Sequence, residues 1–146
     1  MSKQAIIKEL QQLLADVYGL YLKTQNYHWH VKGPHFKQLH EFFNEQYDSL
    51  AGFIDSIAER ILTLGGHAPA TFKSLSSITN ISDGDSNLTW QNMISDLASD
   101  QDKIVNSLMS AFKVASSAHD EATVDFIAEK IGYFEKQRWM LESHLE

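Results

Sequence analysis

The stretch NYHWHVKGPHFKQLH, residues 26–40, carries four of the chain's seven histidines. Imidazole is the side chain that most readily serves as a neutral metal ligand near physiological pH. Beyond His40 stand Asp55 and Glu59, four positions apart, a spacing that presents both carboxylates on one face of a helix. On a wheel of about 100° per residue with His40 at zero, Phe36, Leu39, Phe43, Tyr47, Leu50, Ile54, Ile57 and Ile61 gather near about 290°. His40, Asn44, Asp55 and Glu59 fall between about 0° and 100°, so the candidate ligands form a stripe beside the buried face. The chain has no cysteine, which excludes disulfides, thiolate zinc sites and cysteine nucleophiles and leaves imidazole and carboxylate to hold any metal.

The turn at Gly33-Pro34 brings His28 toward His40, but Asp55 lies fifteen residues past His40, about 22 Å along a helix. No single ion bridges that distance. Two copies laid antiparallel about a two-fold axis put the histidines of one against the carboxylates of the other, twice. Two imidazoles and two carboxylates with open positions suit Fe(II) that must meet an oxidant, and the same set accepts zinc. A di-iron centre inside one bundle needs Glu-x-x-His on two helices, and no glutamate here has a histidine three residues later. The residues alone also allow a plainer reading: two helix-end histidines bonded to backbone, and a surface pairing of Asp55 and Glu59 with Arg60 or a lysine. His30, His35, His67, His119 and His144 take that plainer reading.

These residues need helices to position them. Ile6, Ile7, Leu10, Leu13, Leu14, Val17, Leu20, Tyr21 and Tyr27 recur every three or four positions and predict one amphipathic helix from Gln4 to about Val31. Gly33-Pro34 breaks it, and a second helix runs from about Pro34 to Leu64, where Gly65-Gly66 ends it. The connection His67 to Leu88 is long for a bundle loop; its apolar cluster Phe72, Leu75 and Ile78 can form a couple of turns, and its length allows a crossover. A third long helix begins at a cap on Asn87 or Thr89 and carries Trp90, Ile94, Leu97, Ile104, Leu108 and Phe112 to about Ser116. The fourth follows from about Asp120 to Leu145 through Val124, Ile127, Ala128, Ile131, Phe134, Arg138 and Leu141. No strand pattern interrupts this, so the expected architecture is an all-α four-helix bundle in a single domain spanning residues 1–146.

A formal net charge of -7, from 12 basic and 19 acidic residues, makes nucleic acid a poor default partner. The opening MSKQAIIKELQQLL has helical spacing with internal charges rather than a leader's apolar run, and no membrane-length apolar segment follows. A cytoplasmic location without a membrane span is expected.

From Asn26 to Gly66 the chain resembles the Dps family, the DNA-binding proteins from starved cells, or miniferritins. NYHW, KGPHF, LHE and DSIAER followed by LGG stand in family order and spacing, and the helix layout extends the likeness over nearly the whole chain. The resemblance implies a ferritin-like four-helix bundle with a short extra helix between the second and third long helices, assembled as a hollow homo-dodecamer of two-fold dimers. It implies ferroxidase centres at the dimer interfaces: Fe(II) is oxidised, preferably by hydrogen peroxide rather than oxygen, and ferric mineral is stored inside, which protects the cell from oxidative stress. His28 and His40 of one subunit with Asp55 and Glu59 of the other are the implied metal and catalytic residues, with Trp29 beside the centre and zinc as a competitor. Where the family often has an aspartate, Asn44 offers a hydrogen bond to bound water but no anionic ligand for a second iron, a role that leaves Glu45 or Asp48 to compensate. In HDEATVDFIAEK, Asp120, Asp125 and Glu129 match acidic residues that line an iron-entry pore on a three-fold axis. Family members that bind DNA commonly use lysine-rich arms; this chain opens with one lysine in its first few residues and ends HLE. A DNA-compacting shell with secondary iron chemistry is therefore the alternative function.

Overall fold

The computed structural model describes residues 2–146, with side chains from residue 3 onward. Its helices are α1 (Ser2–His30), α2 (Phe36–Thr63), α3 (Phe72–Ile78), α4 (Trp90–Ser117) and α5 (Glu121–Ser143), with no strand among the described residues. The all-α bundle expected from periodicity is what forms, and the short apolar cluster in the connection becomes α3. Thr71 caps α3 through a reciprocal box with Ser74, and Thr89, one of the two expected caps, accepts from the Asn92 amide at the start of α4.

Contacts between helices fix their directions. Glu9, Asp16 and Lys23 meet Ser110, Ser107 and Asp96 in turn, so α1 and α4 run antiparallel. Gln46, Phe53 and Arg60 meet Gln137, Phe134 and Thr123, so α2 and α5 are antiparallel as well. A short turn also reverses α1 into α2, so α2 and α4 point the same way and residues 64–89 must travel the length of the bundle between them. No helix is long and apolar enough to cross a membrane among the described residues.

Leu10, Leu13, Leu20, Tyr27, Leu39, Phe43, Ile57, Ile61, Met93, Ile94, Ile104, Leu108 and Phe134 anchor the fully buried core. On α2 the buried stripe is Leu39, Phe43, Gln46, Leu50, Phe53, Ile57 and Ile61. The sequence wheel placed this face slightly off: Phe36 is exposed, and Tyr47 and Ile54 are half-buried on the flank beside His40. The shift arises because Gln46, a polar residue, faces inward and hydrogen-bonds Gln137, while Phe53 packs on Phe126 and Phe134.

The crossover is laid along α1 by polar side chains. The fully buried Asp16 carboxylate accepts from Gln12 Nε2, Thr79 Oγ1, the Asn80 amide at 2.7 Å and Ser107 Oγ at 2.7 Å, while Gln12 Nε2 also reaches the Ile78 carbonyl. Two turns on, Lys23 Nζ lies 3.0 Å from Asp96 Oδ2 and 2.8 Å from the buried Asp100 Oδ2. Tyr27 donates its hydroxyl to Asp96 and accepts from the Asp85 amide. Burial pushes the Asp100 carboxyl above its ordinary range against the pull of Lys23, and burial with the Asp96 hydrogen bond raises the Tyr27 phenol.

Helices α2 and α4 end in the same way. At α2 the Gly65 amide bonds the Leu62 carbonyl and Gly66 the Ile61 carbonyl, with Gly65 at φ 89°; at α4 His119 bonds Ser116 and Asp120 bonds Ala115, with His119 at φ 58°. Histidine thus holds a left-handed position that glycine holds elsewhere in this chain.

Lys23 is the charge on which the seam between α1 and α4 balances. Lys23→Met should lower stability by about 3–5 kcal/mol, because the buried Asp100 is left with only the more distant and exposed Lys103, 3.9 Å away. Adding Asp100→Leu should recover most of that loss, as read from the thermal midpoint at fixed protein concentration.

Candidate metal centre

His28, on the last turn of α1, and His40, in the second turn of α2, stand across the Gly33-Pro34 turn. Gly33 takes φ 118°, and a Cβ there would come 3.1 Å from the Trp90 ring. Glycine is required at this turn both for its backbone angle and for its lack of a side chain. The two imidazoles stack with centroids 3.8 Å apart and planes 16° from parallel. Their Nδ1 atoms point into each other's backbone: His28 Nδ1 lies 2.6 Å from the His40 carbonyl, and His40 Nδ1 lies 2.7 Å from the His28 carbonyl. A carbonyl only accepts, so both Nδ1 atoms carry hydrogen, and it is Nε2 that holds the lone pair of each imidazole in its neutral form. This orientation of imidazole by a backbone acceptor is the one metal sites use to fix the ligating nitrogen. The backbone bonds of the plainer reading are therefore present, and they use the nitrogens that ligation leaves free.

Phe36 stacks on His40 at 5.1 Å and Tyr47 stands edge-on to His28 at 5.3 Å, which closes two sides of the pair. His28 is buried and His40 half-buried. Trp29, next to His28 in the chain, is 59% exposed.

Asp55 and Glu59 lie farther along α2, both exposed, and neither enters an ion pair among the described residues. Arg60 turns instead to α5, where it bonds Thr123 Oγ1 at 3.0 Å and Asp120 at 3.2 Å. The chain thus brings His28 to His40 and Asp55 to Glu59 as two separate pairs. Among the described residues no three His, Asp or Glu side chains converge as a metal site. Asn44 sits half-buried one turn after His40, its Nδ2 3.5 Å from Asp48 Oδ2.

The bundle interior holds amides where an in-bundle metal site would need carboxylates. Gln46, Gln101 and Gln137, from α2, α4 and α5, surround a small gap beside Thr24 of α1. The Gln46 and Gln101 amide oxygens are buried there without a partner.

Asp120 caps α5 through the Thr123 amide and hydroxyl and pairs with Arg60. Burial raises its carboxyl, but the Thr123 hydrogen bonds and the Arg60 charge outweigh that and hold it below the ordinary aspartate value. Asp125 and Glu129 are exposed one turn apart on the same helix, without ion-pair partners among the described residues. Tyr47 and Phe36 escaped notice as neighbours of the histidines because aromatic residues at helical spacing read as core.

A family model for the ferritin-like domain matches residues 7–146. The chain is 37% identical to DNA protection during starvation protein 2 of Bacillus anthracis, over 99% of both chains. It is 37% identical to the DNA protection during starvation protein of Brevibacillus brevis, over 99% of this chain and 97% of that one. The crystal structure of a Dps protein from Bacillus brevis superposes with a TM-score of 0.96 at 36% identity, covering 99% of this chain and 97% of that one. A Vibrio cholerae Dps structure, described as belonging to a broad superfamily of ferritin-like diiron-carboxylate proteins, superposes with a TM-score of 0.96 at 28% identity, over 99% and 91% of the two chains.

Gly33→Ala tests how tightly the turn holds the histidines. It forces a left-handed alanine against Trp90 and should cost about 1–2 kcal/mol. Zn(II) affinity, measured by titration calorimetry, should fall with it.

Proposed function

The chain belongs to the Dps family of ferritin-like proteins, and on that premise we propose that it is a ferroxidase and iron store removing Fe(II) and hydrogen peroxide together. The observation that carries this reading is the reciprocal bonding of His28 and His40, which occupies both Nδ1 atoms with backbone and leaves both Nε2 atoms for ligation. Asp55 and Glu59 of a second copy supply the other half of each centre, about 22 Å along α2 from His40 in the same chain.

The surface needed to bring two copies together is available. Tyr18, Leu22 and Trp29 share one side of α1 and line, with Phe72 and Leu75 of α3, a continuous hollow. Leu22 is 53% and Phe72 89% exposed. An apolar area of this kind is usually an interface, and a two-fold axis covers it with its own copy. Twelve such subunits enclose the cavity in which ferric mineral collects.

Fe(II) is the substrate. The imidazoles hold it without adding charge, and the carboxylates of Asp55 and Glu59 add negative charge that favours the ferric product. Positions left open admit peroxide. Two Fe(II) ions give one electron each, the O–O bond breaks, and two protons complete two waters, so no hydroxyl radical is released. Zinc accepts the same ligands without redox chemistry and is the expected competitor. Asp125 and Glu129, repeated about a three-fold axis with Asp120 at their rim, draw Fe(II) inward by focused negative potential.

Protection of DNA, which the relatives' names record, follows here from removing the reagents that damage it. The alternative, a shell that coats DNA, is disfavoured by a net charge of -7 on each chain. In a salt titration by gel shift, the assembled protein should leave duplex DNA unretarded at about 0.15 M salt. Strong retardation there reverses the order of the two functions.

The site assignment has its own test. Asp55→Asn combined with Glu59→Gln should slow peroxide-driven Fe(II) oxidation about a hundredfold or more, while light scattering still finds the full-size shell. Parent-like oxidation in that variant would overturn the assignment.

A further inference from the structure

Each of the four long helices brings one polar side chain to the same level of the bundle's centre. Thr24 of α1, Gln46 of α2, Gln101 of α4 and Gln137 of α5 line a common gap, with Leu20 and Phe134 among its apolar walls. Gln46 Nε2 donates to Gln137 Oε1 at 3.2 Å, and Thr24 Oγ1 donates to the Leu20 carbonyl at 2.7 Å. Neither bond employs Gln46 Oε1 or Gln101 Oε1. Both oxygens are buried without a donor among the described residues, on side chains only 6% and 4% exposed. A carbonyl taken from water and given no donor loses the hydrogen bonds it made in the unfolded chain, so native interiors rarely leave two such groups in one place.

Size, hydrogen bonding and charge together define the ligand that meets this need. The gap measures about 10 Å³, room for one water molecule and nothing larger. Both orphaned groups are acceptors, so the ligand must donate twice. Every oxygen on the lining is neutral, and Asp100, next to Gln101 in the chain, is turned to Lys23 Nζ at 2.8 Å. A cation in the gap would be stripped of water with no anion to face it, and divalent ions favour carboxylate oxygen besides.

We propose that the bundle centre is a single-water site, in which one molecule donates to Gln46 Oε1 and Gln101 Oε1 and so bonds α2 to α4. Gln137, whose oxygen is taken by Gln46, keeps amide hydrogens to donate to the water's own oxygen. That brings the water's partners to three, the usual number for an internal water. The ligand is neutral and needs no counter-ion, so the site is independent of whatever the flank of α2 binds. Its rival is a dry arrangement with the Gln46 and Gln137 amides both turned over. Gln137 Nε2 then donates to Gln46 Oε1 and Gln46 Nε2 to Gln101 Oε1, which satisfies the same oxygens but leaves the gap a void whose walls lose their contacts.

A high-resolution crystal structure of the assembled protein should show one solvent peak per subunit about 2.8 Å from both Gln46 Oε1 and Gln101 Oε1. Soaking with Tl(I), which replaces monovalent cations and scatters anomalously, should leave that peak without an anomalous signal. Gln101→Met fills a similar volume with no strong acceptor and should remove most of the peak's occupancy. Gln46→Met should do the same, so one poorly folded variant leaves the other to decide. The absence of a peak in the parent, or a direct Gln46–Gln101 hydrogen bond in its place, overturns the proposal. A Tl(I) signal in the gap overturns it in favour of a monovalent cation, and a peak undiminished in both methionine variants overturns the two oxygens as its holders.

Discussion

A charge buried in a helical bundle is stable only when enough donors or counter-charges meet it, and Asp16 on α1 meets that demand from three directions. Gln12 on its own helix, Thr79 and Asn80 of the crossover, and Ser107 of α4 all donate to it. One carboxylate therefore ties a strap and two helices together. Lys23 repeats the arrangement two turns on, with Asp96 and Asp100 as its anions. The placement of the strap decides what the rest of α1 can show: with Ile81 and Gly84 laid against it, the remaining side bears Tyr18, Leu22 and Trp29 outward.

Much of this was legible in the sequence, for a physical reason in each case. Glycine and proline mark where a helix cannot continue, so the turn before α2 and the end of α2 were readable to within two residues. The pairing of His28 with His40 followed from that turn. The core face of α2 was less legible, because hydrophobicity alone cannot tell that the Gln46 amide finds Gln137 across the bundle and so tolerates burial. Asp16, Lys23 and Asp100 were invisible for the same reason: a lone charged residue in an amphipathic pattern reads as solvated until its partners, many tens of positions away, are known. Arg60 shows the limit from the other side. Its neighbours Asp55 and Glu59 were the natural partners on a linear view, whereas the fold sends it to the cap of α5.

The bundle separates two kinds of polarity. Its centre is lined by neutral amides from three helices, while the ionisable candidates stand on its flank. Amides bind cations weakly compared with carboxylates, and the buried carboxylates of Asp16 and Asp100 are already met by donors and by Lys23, so the interior does not compete for iron with the exterior stripe. Each imidazole borrows its orientation from the other's backbone, so the pair is arranged by the turn itself and asks nothing of the bundle's interior.

That independence bears on the order in which the molecule takes shape. His28 and His40 are 12 positions apart, whereas Asp16 reaches Ser107 across 91 positions and Lys23 reaches Asp96 across 73. Short loops close sooner than long ones. On a chain emerging from a ribosome the stacked imidazoles can form while α4 is still unmade, with Asp16 and Lys23 still in water. The part of the molecule with the most demanding local geometry is thus the part that waits least for the remainder, and the bundle closes afterwards around a turn already set.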